Sequence, residues 1–161
     1  MRLAEDEYGR YRAQQAARYM EHIRALGSRI RMLQSEVDAQ RELMESVKGI
    51  DYSAMGGPGS PSADAIPDAV IRLQGLVSDY CTELAGYMGE RKAAHEALCR
   101  LARPEQAEAL AAHYLRGESW EEVCVSMHYT WQGMMKLRGR ALAALWDEMP
   151  HEWRDPRHPA V

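Results

Sequence analysis

Phenylalanine is absent from this 161-residue sequence, and all aromatic residues together make up only 7% of it. Ten methionines therefore have to join Leu, Ala, Ile and Val in filling any core that the chain builds. Cysteine is also scarce: Cys81, Cys99 and Cys124 are odd in number and lack CxxC spacing. This disfavours a disulfide framework or a zinc knuckle and predicts a reducing, cytoplasmic environment.

Long apolar runs and an excess of positive charge are missing as well. No apolar stretch approaches the roughly 18 residues of a membrane-spanning helix, and the start, MRLAEDEYGR, has no apolar core of a secretory signal. We therefore expect no membrane association. The 20 Lys and Arg stand against 24 Asp and Glu, a formal net charge of −4. This balance excludes a generally basic nucleic-acid binder but permits a local basic patch.

Motifs of catalysis and cofactor binding are absent too. The sequence has no GxGxxG, GK[ST] or HExxH motif and no Ser-His-Asp arrangement, so we expect no enzyme and no cofactor. Cys124 and His128, four residues apart, could share a metal with His113, but structural zinc normally needs a fourth ligand, and we expect no metal. We expect His95 and His113 to be surface residues.

Two ladders of apolar residues occupy the first three-fifths of the sequence. Their steps alternate between four and three residues, the spacing of a coiled-coil seam. The first ladder comprises Tyr19, Ile23, Leu26, Ile30, Leu33, Val37, Met44 and Val47, and the polar Gln40 occupies the position between Val37 and Met44. The second comprises Ile66, Val70, Leu73, Val77, Tyr80, Leu84, Tyr87, Ala94, Leu98 and Leu101, with Arg91 as its polar exception. Residues 48–65 between them, rich in Gly and Pro, cannot continue a helix.

The ladders predict an all-α protein whose residues 1–103 form a long, coiled-coil-like antiparallel helical hairpin with a flexible loop at 48–65. A seam this narrow favours one partner helix, and it stays open whether the hairpin pairs within one chain or between two. Six apolar residues off the ladders widen the stripe and make a four-helix dimer plausible: Met20, Met32, Leu43, Ile71, Leu76 and Met88.

The last third predicts three shorter helices in a domain at 104–149. Pro104 suits the first turn of one helix and Gly117 its end. Ser119 and Glu122 have the spacing of a capping box for the second helix. Thr130 can cap the third, running from Trp131 to about Met149, and its inward positions would be Met134, Leu137, Ala141, Leu142 and Leu145. A short helix, a turn at 128–130 and a longer helix with a basic outer face predict a helix-turn-helix. The tail at 150–161 is expected to fray, and its Trp153 could dock on the domain or on a partner.

The stretch YLRGESWEEVCVSMHYTWQGMMKLRGRALAAL resembles region 4 of bacterial sigma factors. The matching residues are Tyr114, Gly117, Ser119, Glu122, Val123, Met134, Arg140, Ala141, Leu142 and Leu145. SWEE followed by RGRAL, behind a helical hairpin, looks more narrowly like the phage and prophage late-gene regulators of the RinA/ArpU type. Four positions depart from the pattern. Cys124 replaces a usual Ala, and His128 stands where Gly is common. Met135 stands where a polar or basic residue is frequent, and Gly133 lies in the first turn of the recognition helix. The turn could place His128 in a left-handed or a bridging conformation, which is uncommon for a residue with a Cβ.

The resemblance implies double-stranded promoter DNA as the partner. It places the DNA-binding edge at Thr130, Trp131, Gln132, Met135, Lys136, Arg138 and Arg140. Gln132 could read adenine, and Lys136 could reach guanine or phosphate. Trp131 and Met135 could pack on a thymine methyl group or, equally well, against a protein.

Arg138 and Arg140 are expected to contact phosphate. The alternative for Arg140 is a salt bridge to an acid such as Glu122.

The resemblance implies a phage-encoded activator of late genes that acts in the bacterial host cytoplasm and contacts host RNA polymerase. We expect the protein to dimerise through the hairpin. The alternative is an adaptor or inhibitor that uses the hairpin and a degenerate helix-turn-helix to dock on polymerase or another protein. The two alternatives differ in salt dependence, because only binding to phosphate weakens steeply with salt.

Overall fold

A computed structural model describes the backbone of residues 2–48 and 65–156, and the side chains of 6–46 and 67–156. These residues form helices and no strand, which confirms the all-α fold class. The α-helices are α1 (Arg2–Lys48), α2 (Ala65–Cys99), α3 (Pro104–Leu110), α4 (Trp120–Met127) and α5 (Trp131–Leu145). A π-helical turn, Ala111–Leu115, continues α3, and a 3-10 turn, His151–Trp153, follows α5. The predicted loop at 48–65 lies, apart from its two end residues, outside the described residues.

Two compact units make up the chain: Met1–Gly27 together with Met88–Val161, and Ser28–Tyr87. Segment 104–149, predicted as a separate domain, thus belongs to the same unit as the start of α1 and the end of α2. In the part of the chain that the structure describes, no helix is long and apolar enough to cross a membrane.

The first unit buries apolar faces of α1, α2 and the C-terminal helices. Its fully enclosed side chains from α1 and α2 include Tyr19, Met20, Ile23, Ala94 and Leu98. Met20 lies off the predicted ladder yet is completely buried, because this unit packs more than one neighbour around α1. A second cluster within the unit joins α3, α4 and α5 through Ala109, Ala112, Val123, Cys124, Met134 and Leu137.

The ends of the C-terminal helices follow the capping signals of the sequence. Pro104 lies in the first turn of α3, and Gly117, with φ 78°, follows its π-helical end. The Ser119 hydroxyl accepts the Glu122 N–H, and the Glu122 carboxylate accepts the Ser119 N–H, a complete capping box. These boundaries were therefore predicted correctly.

Helix α5 ends earlier than the sequence predicts. It ends at Leu145, whereas the apolar pattern predicted an end near Met149. The carbonyl of Leu145 accepts the N–H groups of both Glu148 and Met149, which closes the helix in a turn. Pro150 keeps the helix from resuming after this turn, because the residue before a proline, Met149, is disfavoured in helical conformation.

The tail is ordered through Asp155, so the prediction that it frays is wrong for 151–155. Trp153 packs on Tyr19 of α1, with ring centroids 5.6 Å apart, and on His22 at 5.0 Å. The Gln15 amide oxygen accepts the Trp146 indole N–H at 2.7 Å and the Asp155 N–H at 2.9 Å, while its nitrogen donates to the Asp155 carbonyl. Burying an indole and a polar amide in this way holds the tail on α1.

The second unit contains the C-terminal part of α1, from Ser28 onward, and most of α2. Ile30 and Val37 of the first ladder are buried, and Arg29 makes a two-pronged ion pair with Glu83 at 2.6 and 2.8 Å. The ladder positions of α2 in this unit are only half-buried: Val70, Leu73, Val77, Tyr80, Leu84 and Tyr87. Large apolar side chains at Met32, Leu43 and Ile71 are mostly exposed. One chain alone therefore leaves much of this apolar surface uncovered.

Candidate nucleic-acid interface

The turn between α4 and α5 fixes where α5 begins. His128 has φ 58° and ψ 40°, which is the left-handed one of the two conformations that the sequence left open. The Tyr129 N–H donates a hydrogen bond to the Cys124 carbonyl at 3.0 Å, and the His128 N–H donates one to the Val125 carbonyl. These two hydrogen bonds form a Schellman motif at the end of α4. Thr130 then caps α5, since its hydroxyl accepts the Gly133 N–H at 3.1 Å. Thr130 is thus exposed at the start of α5 with its hydroxyl in use as a cap.

Gly133 lies directly under this turn. A Cβ at this position would approach the Thr130 hydroxyl to 3.1 Å and the Tyr129 ring to 3.5 Å. The first contact is tighter than ordinary packing, so the glycine lets the capping residue and the turn sit close to the first turn of α5.

Three of the predicted DNA-binding residues share one exposed side of α5. Gln132, Lys136 and Arg140 are all exposed and follow one another at intervals of four residues, so their side chains lie along one face. Helix α5 carries three cations in its 15 residues and no acid. This face is therefore locally positive although the whole chain is negative.

Arg138 lies apart from that face. Its side chain is half-buried, and its guanidinium lies 5.4 Å from the centre of the Trp120 ring, a cation–π distance. Trp120 in turn stacks on His113, with centroids 4.2 Å apart and planes 21° apart. Of the predicted phosphate contacts, Arg138 is thus the one that also braces α5 against α4 and the π-helical turn.

Met135 and Trp131 occupy different surroundings, although the sequence predicts similar roles for them. Met135 is half-buried and packs against the cluster that joins α3, α4 and α5. Trp131 is 50% exposed at the start of α5. Two further exposed apolar residues are close to it in the sequence: Tyr129, which is 37% exposed, and Val125 of α4, which is 78% exposed.

The alternative ion pair between Arg140 and Glu122 is not formed among the described residues. The Glu122 carboxylate accepts the Ser119 N–H at 2.7 Å, and this backbone hydrogen bond lowers the pKa of Glu122 below its usual value. The acid is therefore engaged in capping α4, and Arg140 stays exposed.

His113 is buried, with only 5% of its surface exposed, so the prediction of a surface histidine is wrong. Its Nδ1 lies 2.7 Å from the Glu118 carbonyl, which can only accept, so Nδ1 carries the proton. Burial lowers the pKa of His113, and the backbone hydrogen bond opposes this. The signal in the sequence was its position inside the apolar run LAAHYL, between two residues that are themselves buried.

A fourth cation lies beside α5, at a position of α1 where the sequence pattern favours a solvated helix surface over a nucleic-acid face. Arg10, on the first turns of α1, lines the same surface groove as Lys136 and Arg140. No periodicity links residues this distant in the sequence, so only the packing of α1 in this unit reveals the grouping.

No cluster of three or more His, Cys, Asp or Glu side chains suited to a metal occurs within 6–46 and 67–156. Comparison of the chain with protein-family models, with curated proteins and with solved structures returns no match.

Proposed function

We propose that the chain is a DNA-binding transcription regulator that uses α4 and α5 as a helix-turn-helix resembling region 4 of sigma factors. The observation that carries this proposal is the acid-free α5, whose exposed side presents Gln132, Lys136 and Arg140. At about 1.5 Å per residue its 15 residues extend roughly 22 Å. A helix of this kind fits the major groove of DNA, which is about 12 Å wide.

The residues of this face take distinct roles in the proposal. Gln132, in the first turn, reads a base edge such as that of adenine, and Lys136 contacts guanine or phosphate. Arg140 contacts phosphate, and the Thr130 side chain, which is exposed at the start of α5, contacts phosphate as well. Trp131 packs on a thymine methyl group. Arg138 contributes mainly by holding α5 on Trp120, and its phosphate contact is secondary.

The helical hairpin would join two copies of this reader. His22 pairs with Glu90 and Arg29 with Glu83, so residue numbers rise on α1 as they fall on α2, which supports an antiparallel arrangement. The half-buried ladder of α2 and the exposed Met32, Leu43 and Ile71 supply apolar area for a second hairpin. A symmetric dimer would bind two half-sites about 34 Å or a multiple of it apart.

The test begins with sheared DNA from the source genome, captured with purified protein at low and moderate salt and then sequenced. Enrichment of a few intergenic segments that persists at moderate salt would support a sequence-specific regulator of phage late genes. On an enriched segment, the double variant Lys136→Ala/Arg140→Ala should bind more weakly and with a smaller salt dependence, by about 0.9 in slope per lost phosphate contact. Normal binding by this variant would contradict the assigned face.

A second candidate function is docking on a protein, with host RNA polymerase as the first partner to test. The exposure of Val125, Tyr129 and Trp131, all within seven residues of the sequence, favours it, because exposed apolar side chains that form a patch mark interaction surfaces. Binding through these residues should change little with salt. Trp131→Ala should then abolish polymerase binding, whereas loss of DNA binding alone would assign Trp131 to the DNA face.

A further inference from the structure

A groove runs between the first turns of α1 and the outer side of α5, with a volume of about 680 Å³. Three cations line it, Arg10 from α1 and Lys136 and Arg140 from α5, against the single acid Asp6. All three cations belong to exposed residues. The groove therefore has a positive surplus of two charges in a chain whose net charge is −4.

Two of the residues that line this groove are glycines, which place no side chain in it. Gly9 of α1 and Gly139 of α5 both line it, and a Cβ built at either position would meet nothing within 4 Å. Close packing of the two helices therefore does not account for these glycines. Each costs its helix roughly 1 kcal/mol relative to alanine. The space that they leave is available to a bound molecule.

We infer that this groove takes the sugar-phosphate backbone of one DNA strand, with Arg10 as a phosphate contact supplied by α1. The inference deepens the proposed function and rests on it, since Lys136 and Arg140 belong both to the groove and to the DNA-binding face. A row of phosphates is the occupant that matches the charge, because one strand carries a negative charge about every 3.4 Å. Arg10 then helps to fix the register of α5 without reading sequence.

The first experiment measures binding of the full chain to a target duplex and to an unrelated duplex between 50 and 200 mM salt. Arg10→Ala should reduce the slope of log K against log salt by about 0.9, so that its affinity changes roughly 3.5-fold less over this range. The loss should be equal on both duplexes. Arg18→Ala is the matched control, because Arg18 is an exposed arginine of the same helix that does not line the groove. Its slope should equal that of the unaltered chain.

The second experiment fills the groove without removing charge. Gly139→Leu should weaken binding to both duplexes at least threefold, whereas Gly139→Ala, which adds only a Cβ, should bind as the unaltered chain does. Both substitutions should leave the melting temperature equal or higher, because each removes a glycine from a helix interior. A fall in DNA binding with an intact melting temperature thus reports the groove and not the fold.

The outcomes separate this inference from the proposed function. If Lys136→Ala/Arg140→Ala loses DNA while Arg10→Ala and Gly139→Leu retain it, the groove inference is overturned and the proposed function stands. If the unaltered chain binds neither duplex at 50 mM salt, both fail. Tight binding of an acidic peptide such as polyglutamate in place of DNA would likewise overturn the inference.

Discussion

His128 offers a direct measurement of the strain in the turn before α5. A residue with a Cβ in the left-handed conformation costs roughly 1–2 kcal/mol, and His128 adopts it at φ 58°. His128→Gly should remove that strain, while the greater freedom of glycine in the unfolded chain returns about 0.4–1 kcal/mol of the gain. At the midpoints of these ranges the remaining stabilisation is about 0.8 kcal/mol, a rise of roughly 2–3 °C in melting temperature for a chain of this size.

The assay is urea unfolding of the full chain, with thermal melting as a second readout. His128→Ala is the matched control, because alanine keeps the Cβ and therefore the strain, and it should gain nothing. Gly117→Ala should lose stability, since it places a Cβ at φ 78°. If His128→Gly unfolds at lower urea than His128→Ala, the strain argument is refuted, and the histidine side chain must stabilise the turn in another way.

Three further predictions concern the fold around the candidate interface. Ser119→Ala removes one half of the capping box and should cost about 1 kcal/mol in urea unfolding, with Ser126→Ala, near the other end of α4, as the comparison. Burial lowers the pKa of His113, so below pH 6.5 the unfolded chain binds more protons than the folded chain, and the free energy of unfolding should fall as the pH drops. His113→Gln should flatten this pH dependence. An unchanged pH profile in the variant would contradict the role given to His113. Gln15→Ala should release the tail and speed its cleavage in limited proteolysis, whereas exposed Gln14→Ala should not.

The sequence predicted the C-terminal helices well because their signals are local. The capping box at Ser119, the left-handed position at His128 and the cap at Thr130 depend on neighbours within a few residues. The five predicted inward positions of α5 are all buried for the same reason, since a period of 3.6 residues fixes one face.

The parts that the sequence did not predict depend on contacts between distant segments. Arg138 follows the same basic pattern as Lys136 and Arg140, and only its contact with Trp120 separates it from them. The docking of Trp153 on α1 and the grouping of Arg10 with α5 likewise join residues more than 120 positions apart. Periodicity carries no information about such pairs. The choice between DNA and protein as the partner of the exposed side of α5 depends on a second molecule, which the periodicity of this sequence does not describe.

The position of Gln15 has a consequence for the order of events during synthesis. The Gln15 amide oxygen accepts a hydrogen bond from the indole N–H of Trp146, which lies 131 residues later in the chain. At about 5–20 residues per second, the ribosome needs on the order of ten seconds to make that partner. During this interval Tyr19, Met20 and Ile23 have no C-terminal helices to cover them. The nascent α1 therefore exposes an apolar stripe until α4 and α5 have been synthesised. This interval favours early pairing of α1 with α2 or binding by a chaperone.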